Sequence, residues 1–228
     1  MKEIYNQNRK IIQEIKKNYN VSKIHIIGKG PSATYIPNEF TIGINQGLIF
    51  TNGEILCMND FQSLFGIEHL IPKIKYIFMP YQVHVYNHPI FDFTYKNVLE
   101  FLSEYNFTGK VFVYFIQTTL IEKSELNDDF YFNVECSTMS AIKICNRFLN
   151  DSILYTYGYK NGAGYHPDIA TLVEKTYSSD KYTMDKYQKY YNFTKNLYKK
   201  NMNTKSSTKK LHDITKVIQL GEININLS

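Results

Sequence analysis

Short unbroken apolar runs recur along this chain at residues 24–27, 40–44, 55–58, 74–79, 111–116 and 153–157. Each is too short for a buried helix and rich in Ile, Val, Phe and Tyr, which predicts strands covered on both faces. Between several of them the apolar positions change period. Residues 61–70, 96–105 and 138–148 repeat at helical spacing, as do 169–177 after the last run. The chain opens the same way, with Ile4, Ile11, Ile12 and Ile15 on one stripe of a charged 2–18 segment. Strands alternating with helices predict an α/β, Rossmann-like fold: a mostly parallel sheet flanked by helices. Residues 80–93 and 118–134 carry neither period, which predicts lid loops.

In an open sheet of this kind, ligands bind outside the carboxyl ends of the strands. The residues following four runs are therefore expected to meet in one crevice: Gly28–Ser32, Asn45–Gln46, Asn59–Asp60 and 158–166. The first is the most informative. Ile27 is followed by Gly28-Lys29-Gly30-Pro31-Ser32, in which two glycines permit a sharp turn and Pro31 suits the first turn of a helix. A phosphate would meet free N–H groups and a positive helix end there. The spacing Gly28-x-Gly30-x-x-Ala33 satisfies a relaxed dinucleotide fingerprint, but the acidic partner expected about 20 residues on is replaced by the amides Asn45 and Gln46. That substitution points to a nucleotide site other than a typical NAD site.

At 228 residues, 43% hydrophobic and 21% charged, the chain has the composition of a folded protein. Residues 1–180 are expected to form the nucleotide-binding domain and 181–228 a basic, Tyr/Lys-rich helical extension packed on it. The net charge of +5 collects in that extension, at Lys195, Lys199, Lys200, Lys205, Lys209, Lys210 and Lys216. Such a stretch reads as a solvated helical face, or as a contact for anionic headgroups, nucleic acid or a second subunit. Three scattered cysteines, Cys57, Cys136 and Cys145, form neither a disulfide framework nor a zinc motif. With no signal-like leader and no apolar run long enough to span a bilayer, the expected location is cytoplasmic, with peripheral attachment at the inner membrane surface as a further option.

Candidate chemistry is sparse. His166 stands in a loop after one run and before a helical pattern, where an imidazole titrating near neutrality can exchange protons with substrate, or can simply cap and pack beside Asp168. His84, His88 and Asp92 share no face that a metal would need. No Asp-x-Asp ends a strand, so no carboxylate pair is evident to hold Mg²⁺ against a nucleoside diphosphate. A departing phosphate would then depend on hydrogen-bond donors, for which Tyr159 and Tyr165 are candidates.

Taken together, Gly28-Lys29-Gly30-Pro31-Ser32, Gly43-Ile44-Asn45-Gln46, Met58-Asn59-Asp60, Ser137-Thr138, 159–162, Tyr165-His166 and 168–177 resemble the bacterial sialyltransferases of glycosyltransferase family 42. The resemblance spans about residues 23–177, in order. It implies that Gly28, Lys29, Gly30, Ser32, Asn45, Gln46, Asn59 and Gly158 bind a cytidine nucleotide and that Asn59, Ser137 and Thr138 face the donor sugar. It further implies that Tyr159 and Tyr165 hold the departing phosphate and that His166 deprotonates the acceptor. Segments 137–138 and 157–159 are also similar to sialyl motifs of the animal-type enzymes. Where the family has Ser-Gly, this chain has Thr138-Met139.

The implied activity is metal-independent, inverting transfer of sialic acid or a related acidic sugar from a CMP-sugar donor to a glycan acceptor. No cofactor beyond the donor substrate is expected. Two other readings of the residues stand beside it: a nucleotide-binding or sensing protein without transfer chemistry, and a transferase acting on nucleic acid through the Lys-rich segment.

Overall fold

The computed structural model describes residues 1–85, 93–116, 128–132, 136–149, 152–158, 164–177 and 217–219. Among these residues eight strands form one sheet: β1 (Lys23–Ile27), β2 (Phe40–Ile44), β3 (Ile55–Cys57), β4 (Tyr76–Pro80), β5 (Lys110–Ile116), β6 (Tyr131–Phe132), β7 (Ile153–Tyr157) and β8 (Val217–Gln219). Their order is β6-β5-β4-β3-β2-β1-β7-β8, and every pairing is parallel. The Rossmann-like α/β architecture expected from the sequence is present. The helices are α1 (Lys2–Asn18), α2 (Tyr95–Ser103), α3 (Ser137–Phe148) and α4 (Pro167–Tyr177).

Alternation along the strands divides the core into two layers. Ile55, Cys57, Phe78, Phe112 and Tyr114 point to the face covered by α1 and α3, whereas Leu56, Ile77, Met79, Val111 and Val113 point to the face covered by α2 and short 3₁₀ segments. From β1 to β5 the strands add in one direction; α3 then carries the chain back across β1, β2 and β3 to β7 on the other side of β1. This reversal between β1 and β7 is the topological switch point, where the connections leave in opposite directions and open a crevice at the carboxyl edge.

Helix α1 also closes a gap in the ladder. The side chain of Asn8, fully buried, donates from Nδ2 to the Val113 carbonyl at 2.6 Å and accepts from the Val113 N–H at 3.0 Å. Gln7 donates to the Val111 carbonyl at 3.3 Å. These side chains occupy backbone groups of β5 that β6, pairing only from Phe115 onward, does not reach.

Four expectations need correction. No helix follows the glycine turn: residues 31–39 hold only turns and irregular chain before β2, since Pro37 follows Pro31 closely and disfavours the helical region at Ile36, leaving a helix little room to propagate. Residues 61–70 form two 3₁₀ segments, Phe61–Leu64 and Glu68–Lys73, separated at Gly66 with φ of 84°. Within the stretch read as a lid, Tyr131–Phe132 is a strand, held by Arg147 of α3, which donates to the carbonyls of Asp129 and Tyr131. In the extension expected to be helical, Val217–Gln219 is a strand on β7; the rest of that extension lies outside the described residues.

Candidate functional site

The switch point is built from glycines in backbone contact. Gly28 N–H donates to the Tyr157 carbonyl at 2.8 Å and Gly30 N–H to the Gly158 carbonyl at 2.9 Å, while Gly158 N–H donates to Ser32 Oγ at 2.9 Å. A Cβ on Gly30 would lie 2.6 Å from the Gly158 oxygen, and Gly158 itself has φ of 75°. The two turns thus need glycine for their mutual approach. The N–H groups of Gly28 and Gly30 are consumed in this clasp and are not presented to a phosphate, which corrects the expected role of the turn.

Lys29 is carried at the tip of the clasp. Its carbonyl accepts from His166 N–H at 2.8 Å, and its Nζ stands 5.0 Å from the centre of the Tyr165 ring. Burial pushes the Lys29 ammonium below its usual range, with Asp60 opposing that shift. Tyr165 is 46% exposed. Lys29, Tyr165 and Asp60 therefore bring a cation, an aromatic surface and a carboxylate from three segments to one edge of the sheet.

His166 takes the capping position that the sequence offered beside proton exchange. Its Nδ1 accepts from the Asp168 N–H at 3.2 Å and its carbonyl from Ile169 and Ala170, which makes it the N-cap of α4. The ring packs edge-on against Phe50 at 4.5 Å. A neutral imidazole accepting at Nδ1 carries its proton on Nε2, so Nε2 is a donor in this tautomer. Tyr159 lies outside the described residues.

At the ends of β2 and β3 stand the amides. Asn45 adopts φ of 54°, the left-handed region that asparagine tolerates. Its Oδ1 and the Oε1 of Gln46 are buried and have no hydrogen-bond partner among the described residues; Gln46 Nε2 donates to the Gln62 carbonyl at 3.2 Å. Asn59 is 4% exposed. Its Oδ1 accepts from Tyr114 OH at 2.5 Å and Ser140 Oγ at 3.2 Å, and its N–H donates to Ser137 Oγ at 2.8 Å, leaving Nδ2 buried without a partner. Ser137 opens α3, so that helix, rather than one after Gly30, brings its N-terminus to the carboxyl edge, with Thr138 half-buried in its first turn.

The structure thus joins Asn59 with Ser137, Lys29 with Tyr165 and His166, and Gly28, Gly30 and Ser32 with Gly158. It adds Tyr114 and Ser140, which hold Asn59 in one orientation. Neither is visible in the sequence as a site residue: Tyr114 lies in an apolar strand, and Ser140 is a small residue on a buried helical face. Also unanticipated is the pair Asp60–His84, with Oδ1 and Nδ1 2.6 Å apart; His88 and Asp92 lie outside the described residues. In comparisons with protein-family models, curated proteins and solved structures, nothing matches this chain.

Proposed function

We propose that this carboxyl edge binds a CMP-activated acidic sugar and that the protein transfers the sugar, with inversion, to a glycan hydroxyl. One observation carries the reading: the polar atoms of Asn45, Gln46 and Asn59 that are buried without partners all stand at the ends of adjacent strands. Burying such atoms costs about 1–3 kcal/mol each unless something satisfies them. Two acceptors, Asn45 Oδ1 and Gln46 Oε1, suit ribose hydroxyls or the cytosine amino group. The donor Asn59 Nδ2 suits a carbonyl, ring nitrogen or sugar carboxylate.

Charge on the ligand has counterparts nearby. The Lys29 ammonium and the N-terminus of α3 would oppose negative charge that grows on the phosphate as the sugar departs, and the Tyr165 hydroxyl would donate to it. The residue set resembling family 42 sialyltransferases supports cytidine over other nucleotides. Tyr159 would, by the same resemblance, share the leaving phosphate with Tyr165. Neutral amides in place of an acidic residue argue against NAD.

Titration calorimetry with CMP, UDP, GDP and NAD, with and without Mg²⁺, tests the reading. CMP binding that is unaffected by Mg²⁺ and weakened about tenfold in Asn59→Ala is expected, since one hydrogen bond to a buried amide is worth about 1.4 kcal/mol. Binding of UDP only with Mg²⁺, of NAD, or of none of the four would overturn it. Because His166 caps α4, nucleotide binding without transfer is the second reading. A CMP complex with no donor turnover would select it.

A further inference from the structure

We infer that Asp60 and His84 form the proton-accepting dyad of this site, with His84 as the catalytic base and Asp60 as the residue that positions it. The inference rests on the transferase reading above and supplies the base that the capping geometry of His166 leaves unassigned. Asp60 directly follows Asn59, and its Oδ1 lies 2.6 Å from His84 Nδ1. A carboxylate can only accept, so Nδ1 carries a proton, and in the neutral imidazole the lone pair is then on Nε2. This is the reverse of the His166 tautomer and the one a general base needs.

The pair is held by the backbone on both sides. His84 N–H donates to the Asn59 carbonyl at 2.8 Å and Phe61 N–H to the His84 carbonyl at 2.9 Å, making a parallel bridge between Asp60 and His84 that extends the β3–β4 edge by one rung. The base is therefore tied to the residue whose Nδ2 awaits a ligand. Both side chains are about one-third exposed, so a substrate hydroxyl can approach while the imidazole keeps a fixed direction. Asp60 also faces two other groups: it favours the charged form of Lys29, from the turn after β1, and adds to the rise of the Tyr114 phenol of β5, which burial chiefly causes.

In the step proposed, His84 Nε2 takes the proton from the acceptor hydroxyl as its oxygen forms a bond to the anomeric carbon. The bond from that carbon to the CMP phosphate oxygen breaks, its electron pair leaving on the phosphate. His84 then releases the proton to solvent.

The probe is CMP-sialic acid with lactose as acceptor, alongside calorimetry with CMP. His84→Gln is expected to lower turnover by about 10²–10⁴-fold while leaving CMP affinity within about twofold. Asp60→Asn should lower kcat by about tenfold or more while KM and CMP affinity stay within about twofold; a merely structural role would weaken CMP binding and kcat together. If His84→Gln stays within about threefold of wild type, or Asp60→Asn keeps full kcat, the dyad is refuted and the transferase reading survives. Wild type that binds CMP without turnover removes the dyad and leaves nucleotide binding; wild type that neither binds nor turns over removes both.

Discussion

Replacing Asn8 should unfasten the edge of the sheet more than any other single polar change in α1. Its amide makes two hydrogen bonds with the backbone of one residue, Val113, at 2.6 and 3.0 Å, from a fully buried position. In Asn8→Ala the Val113 N–H and C=O both lose that partner beneath a helix that excludes water. At about 1–3 kcal/mol for each orphaned group, partly offset by relaxation of α1, the expected loss is about 3 kcal/mol. For a protein of this size that corresponds to a fall in Tm of about 6–12 °C. Asn8→Asp should be no better: it keeps the acceptor for the N–H but sets a buried carboxylate against the Val113 carbonyl. Urea unfolding gives the free energy, and amide hydrogen exchange locates it, since the Val113 N–H should lose protection selectively. A destabilisation below about 0.5 kcal/mol with Val113 still protected would show that the amide does not complete the edge.

The clasp and the cap give further tests. Gly158→Ala must hold a side chain at φ of 75° with its Cβ 2.9 Å from the Gly30 nitrogen; the left-handed conformation alone costs about 1–2 kcal/mol, so Tm and CMP affinity should both fall, whereas a variant with unchanged affinity would exclude the clasp from ligand binding. His166→Ala should lose about 0.5–2 kcal/mol as an N-cap and His166→Asn should recover most of it in thermal unfolding; equal losses would mean the ring's contact with Phe50, rather than the cap, matters. His25, 8% exposed in β1 and stacked on Tyr155 and Tyr157, has its pKa lowered chiefly by burial. The unfolded chain therefore binds its proton more readily, and stability should fall as pH drops below about 6.5; the same pH slope in His25→Gln would assign the loss to other groups.

Much of the scaffold was legible in the chain because burial on both faces leaves unbroken apolar runs. All six runs are strands, with ends shifted by at most a few residues, and the helices Lys2–Asn18, Tyr95–Ser103, Ser137–Phe148 and Pro167–Tyr177 follow from apolar stripes at nearly the same positions. What misled was local chemistry read without its neighbours. Gly28 and Gly30 look like a phosphate cradle, yet their N–H groups are taken by Tyr157 and Gly158, more than a hundred residues away. Residues 61–70 carry helical spacing, but Gly66 in the left-handed region divides them.

The candidate site shows the same division. Asn45, Gln46 and Asn59 were identifiable from sequence because each directly follows an apolar run, and in a parallel sheet that position is the carboxyl edge. That Asn59 is oriented by Tyr114 and Ser140, and that Asp60 meets His84, depended on contacts between segments 24 to 81 residues apart. Apolar periodicity by itself determined the α/β class, the strands and the edge at which polar residues would gather, since it records which side of each element avoids water. Only the tertiary structure decided which helix end, which carboxylate and which histidine stand at that edge. Hydrogen bonds of 2.5–3.2 Å select partners by position in space, and a linear pattern of polar residues carries no information about that position.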